Sequence, residues 1–327
     1  MRLIDIVQNK LVTQDEFDAI LKHLLLDRST KKNIIWATPS YEELGDAFAF
    51  DKEILPTHLQ GEYAALILPR VEKAAQAQDD RTRDRAEVFT PSWVCNAQNN
   101  LVDEQWFGRS GVFNTEKEKS WEPTMEPIRF PETGPRTWEQ YVDTKRLEIT
   151  CGEAPYLVSR YDTVTGDDIP VRNRIGLLDR KLRVVNENTE TEADWQTLAL
   201  RAFQSVYGYE FQGDNLVLAR ENLFLTYVDY YTERFKRWPE TKLLLQIAKT
   251  ISWNLWQMDG LKYVAPYSCK TTVIEEYTFF GVERTEQLCP GCDSGDNRLH
   301  NGTYCRIYDW RKSNSLEFRT LMKGGKL

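Results

Sequence analysis

Residues Leu147–Asp162 read LEITCGEAPYLVSRYD, and how this stretch folds decides the architecture around it. Leu147 and Ile149 flank the acid Glu148 in strand-like alternation, and the chain then turns at Cys151-Gly152. The apolar run Tyr156-Leu157-Val158 follows as the expected start of a buried helix. Strand, tight small-residue turn and helix make the first unit of a nucleotide-binding α/β sheet. Small residues are needed in the turn because they let the backbone approach a ligand closely. Ala154 and Pro155 stand where a glycine-rich loop would place glycines, so a plain strand–turn–helix is the competing reading of this stretch alone.

The residues downstream repeat the alternation. A polar, acidic segment, Asn186–Asp194, marks residues 163–200 as an insertion. Val206–Glu210 then reads as a second short strand ending in an acid. Asp214–Tyr231 is expected to be a helix with Leu216, Leu223, Tyr227 and Tyr230 on one side, and Thr241–Ile251 another with Leu244, Ile247, Ala248 and Ile251 inward. Asn254–Leu261 completes the series as a strand ending in Asp259. Strands alternating with helices predict a mostly parallel sheet.

Upstream, Leu3, Ile6, Val7, Phe17, Ile20, Leu21 and Leu24 recur at helical spacing, and residues 3–50 are expected to be helical. Thr13 and Glu16 have the T-x-x-E form of a capping box. Residues 70–86 are highly charged and read as a solvated helix. Thr90-Pro91 then has the look of a helix start, with Thr as cap and Pro at the first position. Four prolines between residues 122 and 137 mark a surface loop. The organisation that follows is an N-terminal helical region (1–85), an α/β core (86–265) and a cysteine-rich C-terminal part (266–327).

At 327 residues, 41% hydrophobic and 28% charged, the chain has the composition of a soluble globular protein. No run of about 18 apolar residues is present, so no membrane span is expected. The N-terminus carries acids early and lacks the apolar core of a signal peptide. Six cysteines in a chain of this length suit a reducing cytoplasm better than a disulfide scaffold. A net charge of −8 argues against a protein that grips DNA by itself; for a nucleic-acid substrate, most phosphate contacts would come from another chain.

The series AEVFTPSWV, LEITCGEAPYL, YGYE and NLWQMDGL resembles the γ-class adenine-N6 DNA methyltransferases of restriction–modification systems, over roughly residues 86–265. In that family a Tyr/Phe-Thr-Pro motif precedes Asp-Pro-x-Cys-Gly-x-Gly, and acids end the next strands. The resemblance implies a class I, Rossmann-like methyltransferase sheet that binds S-adenosylmethionine. On it, Phe89, Thr90 and Pro91 match the motif that closes over the methionyl end of the cofactor. Glu148 takes the place of the motif's Asp, and Thr150, Cys151, Gly152 and Leu157 belong to the loop beside it. Glu210 matches the acid that accepts the ribose hydroxyls, and Asp259 the acid near the adenine amine. From the residues alone, Glu210 is equally an ordinary strand-end acid and Asp259 a turn residue before Gly260. Glu148 for Asp, Ala154 for Gly, and Pro155 depart from the family pattern. Cys151 reads as a small buried residue, not a nucleophile: His23, His58 and His300 are widely spread and support no Cys–His or Ser–His catalytic pair.

A second cluster lies near the C-terminus. Cys289-Pro-Gly-Cys292 is a tight knuckle that presents two thiolates to one metal. Cys305 is the expected third ligand and Cys269 the fourth, with His300 as the alternative. Four protein ligands would make a zinc ion here structural. The competing reading is a set of reduced cysteines in a hairpin-rich insertion.

An amino methyltransferase also needs an Asn/Asp-Pro-Pro-aromatic motif, whose polar groups bind the target amine while its ring stacks on the flipped base. The chain has no Pro-Pro and ends about where that strand would begin, so no catalytic residue is assigned to it. The expectation is the cofactor-binding subunit of a split DNA adenine-N6 methyltransferase serving restriction–modification or phage defence. A partner subunit would carry the catalytic motif and target recognition, and double-stranded DNA would be bound through the complex. The alternative is a non-catalytic scaffold or regulator with a degenerate cofactor pocket. A zinc-dependent nucleic-acid-binding module is a third class, which the acidity argues against.

Overall fold

The structure is a computed structural model that describes residues 1–73, 90–131, 134, 136–279 and 281–322. The N-terminal part holds two helices, α1 (Asp5–Gln8) and α2 (Gln14–Leu25). Thr13 and Glu16 form the expected capping box, the Glu16 carboxylate accepting from the Thr13 N–H at 2.8 Å. Beyond α2 the helical expectation fails. Residues 26–73 run as loops and short 3-10 turns, broken by Pro39, Gly45, Pro56 and Gly61. The helix expected over 70–86 falls mostly outside the described residues; Arg70–Glu72 is a single 3-10 turn.

Helix α3 (Ser92–Phe107) begins as expected, but its cap differs. Pro91 is the N-cap, and the Ser92 N–H is satisfied at 2.8 Å by the Asp162 carboxylate from a distant loop, not by Thr90. A hairpin, β1 (Asn114–Lys117) and β2 (Ser120–Pro123), precedes α4 (Trp138–Asp143), and the described residues between them are irregular.

The organising strand is β3 (Arg146–Glu148). Tyr156-Leu157-Val158 is not the start of a helix, because the groups that would continue it are used elsewhere: the Tyr156 and Leu157 carbonyls accept the N–H groups of Leu177 and Leu178 at 2.8 Å each, and the Asp162 N–H goes to the Asp167 carbonyl at 2.9 Å. Glu148 accepts from the N–H groups of Tyr156 and Leu157 at 3.3 and 3.1 Å, and Asp179 accepts the Ser159 N–H at 2.8 Å. One turn forms, with the Val158 N–H on the Ala154 carbonyl, and is not continued. The crossover helices come later, as α5 (Leu177–Asn188) and α6 (Glu192–Gln204), where the sequence suggested an insertion.

β4 (Val206–Glu210), α7 (Gly213–Phe235), α8 (Thr241–Asn254) and β5 (Leu255–Gln257) follow the expected order. The three strands form one parallel sheet in the order β3-β4-β5, with Glu148 opposite Gly208 and Glu210 opposite Gln257. The protein is thus mixed α/β, and among the described residues no helix is long and apolar enough to cross a membrane.

One hydrophobic core runs from Leu3, Phe17 and Trp36 through Leu157, Val206 and Leu223 to Ile251. The N-terminal segment is stitched to the sheet by polar contacts. The Gln257 side chain pairs with Ile35, donating to its carbonyl at 2.8 Å and accepting its N–H at 2.9 Å. Gly213 lies so close that a Cβ there would sit 1.9 Å from the Ile35 carbonyl oxygen. Beyond β5 lie two antiparallel hairpins, β6 (Thr272–Thr278) with β7 (Gly281–Gln287), and β8 (Arg306–Asp309) with β9 (Asn314–Glu317).

Candidate functional site

Ligands of open α/β sheets bind beyond the carboxyl ends of the strands. Here two adjacent strands end in buried acids, Glu148 on β3 and Glu210 on β4. Burial pushes the Glu148 carboxyl up to about 8; its two backbone N–H partners oppose the shift and the charge of Glu210 adds to it. Burial likewise raises Glu210, opposed by N–H groups of Gln212, Gly152 and Phe211. One Glu210 oxygen accepts from Gly152 N–H at 2.9 Å and the other from Gln212 N–H at 3.1 Å. A carboxylate offers about four acceptor positions, so with three N–H groups on it about one remains for a ligand.

The turn after β3 is a run of left-handed residues, Thr150 (φ 46°), Gly152 (φ 53°) and Ala154 (φ 65°). Ala154 adopts the glycine-like conformation despite its Cβ, at a cost of roughly 1–2 kcal/mol. The turn is seated against β4: Cys151 N–H donates to the Tyr209 carbonyl at 2.9 Å. A Cβ on Gly208 would lie 3.3 Å from Cys151 Sγ. Cys151 is buried with its thiol held protonated by burial, in keeping with a packing role. Thr150 is exposed and its hydroxyl is spent on the Ile149 carbonyl, while the Leu157 side chain lies in the core and only its N–H reaches Glu148.

Thr90 and Pro91 lie beside this turn, and Phe89 lies outside the described residues. The Thr90 carbonyl accepts from Thr163 Oγ1 at 3.1 Å and from Cys95 Sγ at 3.6 Å. Tyr156 interacts with Thr90, Cys95 and Glu148 together. Two segments about sixty residues apart in sequence therefore meet at Glu148. Asp162 is the clasp between them: burial opposes its ionisation, but N–H groups of Ser92, Thr165 and Val164 hold it below the usual range.

Asp259 lies two residues past β5. Its carboxylate caps the turn, accepting N–H groups of Leu261 and Lys262 at 3.0 and 3.2 Å, and pairs with Lys262 Nζ at 3.6 Å. It borders a cavity of about 400 Å³ lined also by Phe211, Lys262, Tyr267 and Lys270. Phe211, the residue after Glu210, meets the Tyr267 ring edge-on at 5.7 Å, and Phe50 packs on Tyr267 at 4.8 Å. The aromatic lining was missed in the sequence, although the position of Phe211 directly after the strand-end acid was a usable signal.

The cysteine cluster is the second site. Cys269, Cys289, Cys292 and His300 bring their ligand atoms within 4.8 Å of one another. His300 Nδ1 lies 3.6, 3.6 and 3.7 Å from the sulfurs of Cys269, Cys289 and Cys292. Zinc bonds of about 2.3 Å to sulfur and about 2.0 Å to nitrogen give a tetrahedral S···N edge of roughly 3.5 Å. The Cys3His set fits a metal such as zinc. His300 Nε2 faces Asn297 Oδ1 at 3.4 Å, which leaves Nδ1 as the ligand nitrogen. Glycines allow the approach: a Cβ on Gly291 would lie 2.5 Å from His300 Nδ1.

Cys305, the expected third ligand, is a correction. It is buried in a second apolar cluster with Trp256 and Met258, its thiol donating to the Gln257 carbonyl at 3.3 Å. His300 takes the position instead. No protein-family model, curated protein or solved structure matches this chain.

Proposed function

We propose that this chain is the S-adenosylmethionine-binding subunit of a two-subunit DNA adenine-N6 methyltransferase acting in restriction–modification or phage defence. The observation that carries the reading is the pair of buried carboxylates, Glu148 and Glu210, ending adjacent parallel strands around one left-handed turn. Glu210, with about one acceptor position left beside its three N–H groups, would take a ribose hydroxyl. The Thr90–Pro91 segment would close over the methionyl end beside Glu148, and Asp259 with Phe211 would receive the adenine. A partner subunit would supply the Asn/Asp-Pro-Pro-aromatic motif, hold the extruded adenine and contact the DNA, which suits a subunit of net charge −8. S-adenosylmethionine would supply the methyl group for an adenine N6, and the residues of this chain would bind and orient it. Zinc on the Cys3His set would be structural, since protein fills all four positions.

A scaffold reading draws on one fact: both Glu210 oxygens already hold backbone N–H groups. Calorimetry with S-adenosylmethionine separates the two. The cofactor reading expects binding, and an affinity loss of at least about tenfold in Glu210→Ala, since charge-assisted hydrogen bonds are worth roughly 1.5–3 kcal/mol each. No binding by the wild-type chain, alone or with its partner, leaves the scaffold.

A further inference from the structure

The cavity beside Asp259 has walls of two origins. Phe211 and Asp259 come from the ends of β4 and β5, whereas Cys269, Cys289 and Cys292 come from the cysteine cluster. Three of the four metal-ligating residues thus face the same space as the strand-end groups. The wall between them is the segment 264–271, which contains Tyr267, Lys270 and the ligand Cys269.

That segment is held from both sides. Toward the sheet, Val264 bridges to Asp259, whose N–H donates to the Val264 carbonyl at 2.9 Å. Toward the cluster, Ala265 N–H donates to the Thr303 carbonyl at 2.8 Å, and Thr303 N–H to Ser268 Oγ at 3.0 Å. Lys270 and Asn301 pair twice, at 2.9 and 2.8 Å. Asn301 N–H in turn points at Cys289 Sγ at 3.2 Å. Gly302 permits this closeness, because a Cβ there would lie 2.9 Å from the Cys269 N atom. Tyr267, at φ 56°, keeps a left-handed backbone within this clamped run.

A metal ion would join the segment, through Cys269, to the knuckle Cys289–Cys292 and to His300. Without it, three thiolates and an imidazole would lose their common partner, and the segment would lose its anchor through Cys269. We propose that the metal at Cys269, Cys289, Cys292 and His300 organises the wall of the cavity at the ends of β4 and β5, so that ligand affinity in this cavity depends on metal loading. The ligand class that suits the cavity is a planar base with an exocyclic amine: Phe211 and Tyr267 offer ring faces and edges, and Asp259 an acceptor. That choice of ligand rests on the cofactor reading given above; the coupling of metal to wall does not.

The test uses the full chain in two forms, zinc-loaded and stripped by a chelator, with zinc restored as a control. Hydrogen exchange followed by mass spectrometry reads the wall, and calorimetry with S-adenosylmethionine reads the cavity. The coupling expects faster exchange through residues 257–271 as well as 289–301 on stripping, unchanged protection in α7, an affinity loss of at least tenfold, and recovery of both with zinc. Exchange changes confined to 289–301, or unchanged affinity, would overturn it. Loss of protection in α7 as well would also overturn it, because the metal would then hold the whole fold. If the zinc-loaded chain does not bind S-adenosylmethionine, the cofactor reading fails, and the exchange pattern alone decides the coupling. Asp259→Asn separates the roles further: affinity should fall while zinc content and exchange at 289–301 stay as in the wild type.

Discussion

Glu148 shows how a single buried acid reports on its surroundings. Its carboxyl titrates at about 8 because burial outweighs the two N–H groups that favour its charge. An acid with a folded pKa above its unfolded value favours the fold while protonated, and this contribution is lost as pH rises through the folded value. The urea midpoint of the wild type should therefore fall between about pH 5 and about pH 8, and Glu148→Gln should flatten that part of the profile. An equally steep fall in the variant would place the titration elsewhere. Arg180 is the opposite case, a buried charge whose two terminal nitrogens are both paired. Its guanidinium meets Asp103 at 2.6 Å, Asn96 at 2.9 Å and Asn100 at 2.7 Å, tying α5 to α3. Arg180→Met leaves Asp103 buried without its cation, and the expected loss is about 3–5 kcal/mol in denaturant unfolding. The paired change Arg180→Met with Asp103→Leu should recover much of that loss.

At the scale of elements, the cysteine knuckle gives the sharpest test. Gly291 sits where any side chain would strike His300, with a Cβ 2.6 Å from the His300 backbone nitrogen as well. Gly291→Ala should lose zinc by elemental analysis while far-UV circular dichroism stays near that of the wild type. Cys292→Ser should also lose metal, and Cys305→Ser should keep it, because Cys305 belongs to the core packing around Trp256. Zinc lost by Cys305→Ser and retained by His300→Ala would restore the ligand set expected from spacing. The knuckle was legible in the sequence because Cys-x-x-Cys is a local pattern. The choice between His300 and Cys305 was not, because it depends on how residues 297–304 fold back on residues 268–270.

Across the whole molecule, the sheet and the N-terminal segment share one core, so few parts are expected to unfold alone. Arg220 illustrates the linkage: from α7 it donates to the Leu24 carbonyl, to that of Leu26 at 3.2 Å and to that of Leu255 at 2.6 Å. Denaturant unfolding followed by tryptophan fluorescence and by circular dichroism should give coincident transitions for this core. In the split-enzyme proposal, function at this scale would rest on a partner. Labelled-methyl transfer to adenine-containing DNA should require both subunits together, and robust transfer by this chain alone would overturn the split-enzyme proposal.

What the sequence determined by itself was local and periodic. The strands at Val206–Glu210 and Leu255–Gln257, the helices between them, the capping box at Thr13–Glu16 and the helix after Pro91 were all readable, because spacing of apolar residues and caps reports local burial. Tertiary structure decided what depended on distant partners. The helix Leu177–Asn188 was hidden because Asp179, Arg180 and Lys181 interrupt the apolar pattern. Those charges are buried only because residues from elsewhere satisfy them, Ser159 for Asp179, Asp103 for Arg180 and Ser205 for Lys181. Tyr156–Val158 failed as a helix through distant partners too, the Tyr156 and Leu157 carbonyls being claimed by the N–H groups of Leu177 and Leu178. A polar group's partner is chosen by the three-dimensional approach of chain segments, which no local pattern encodes.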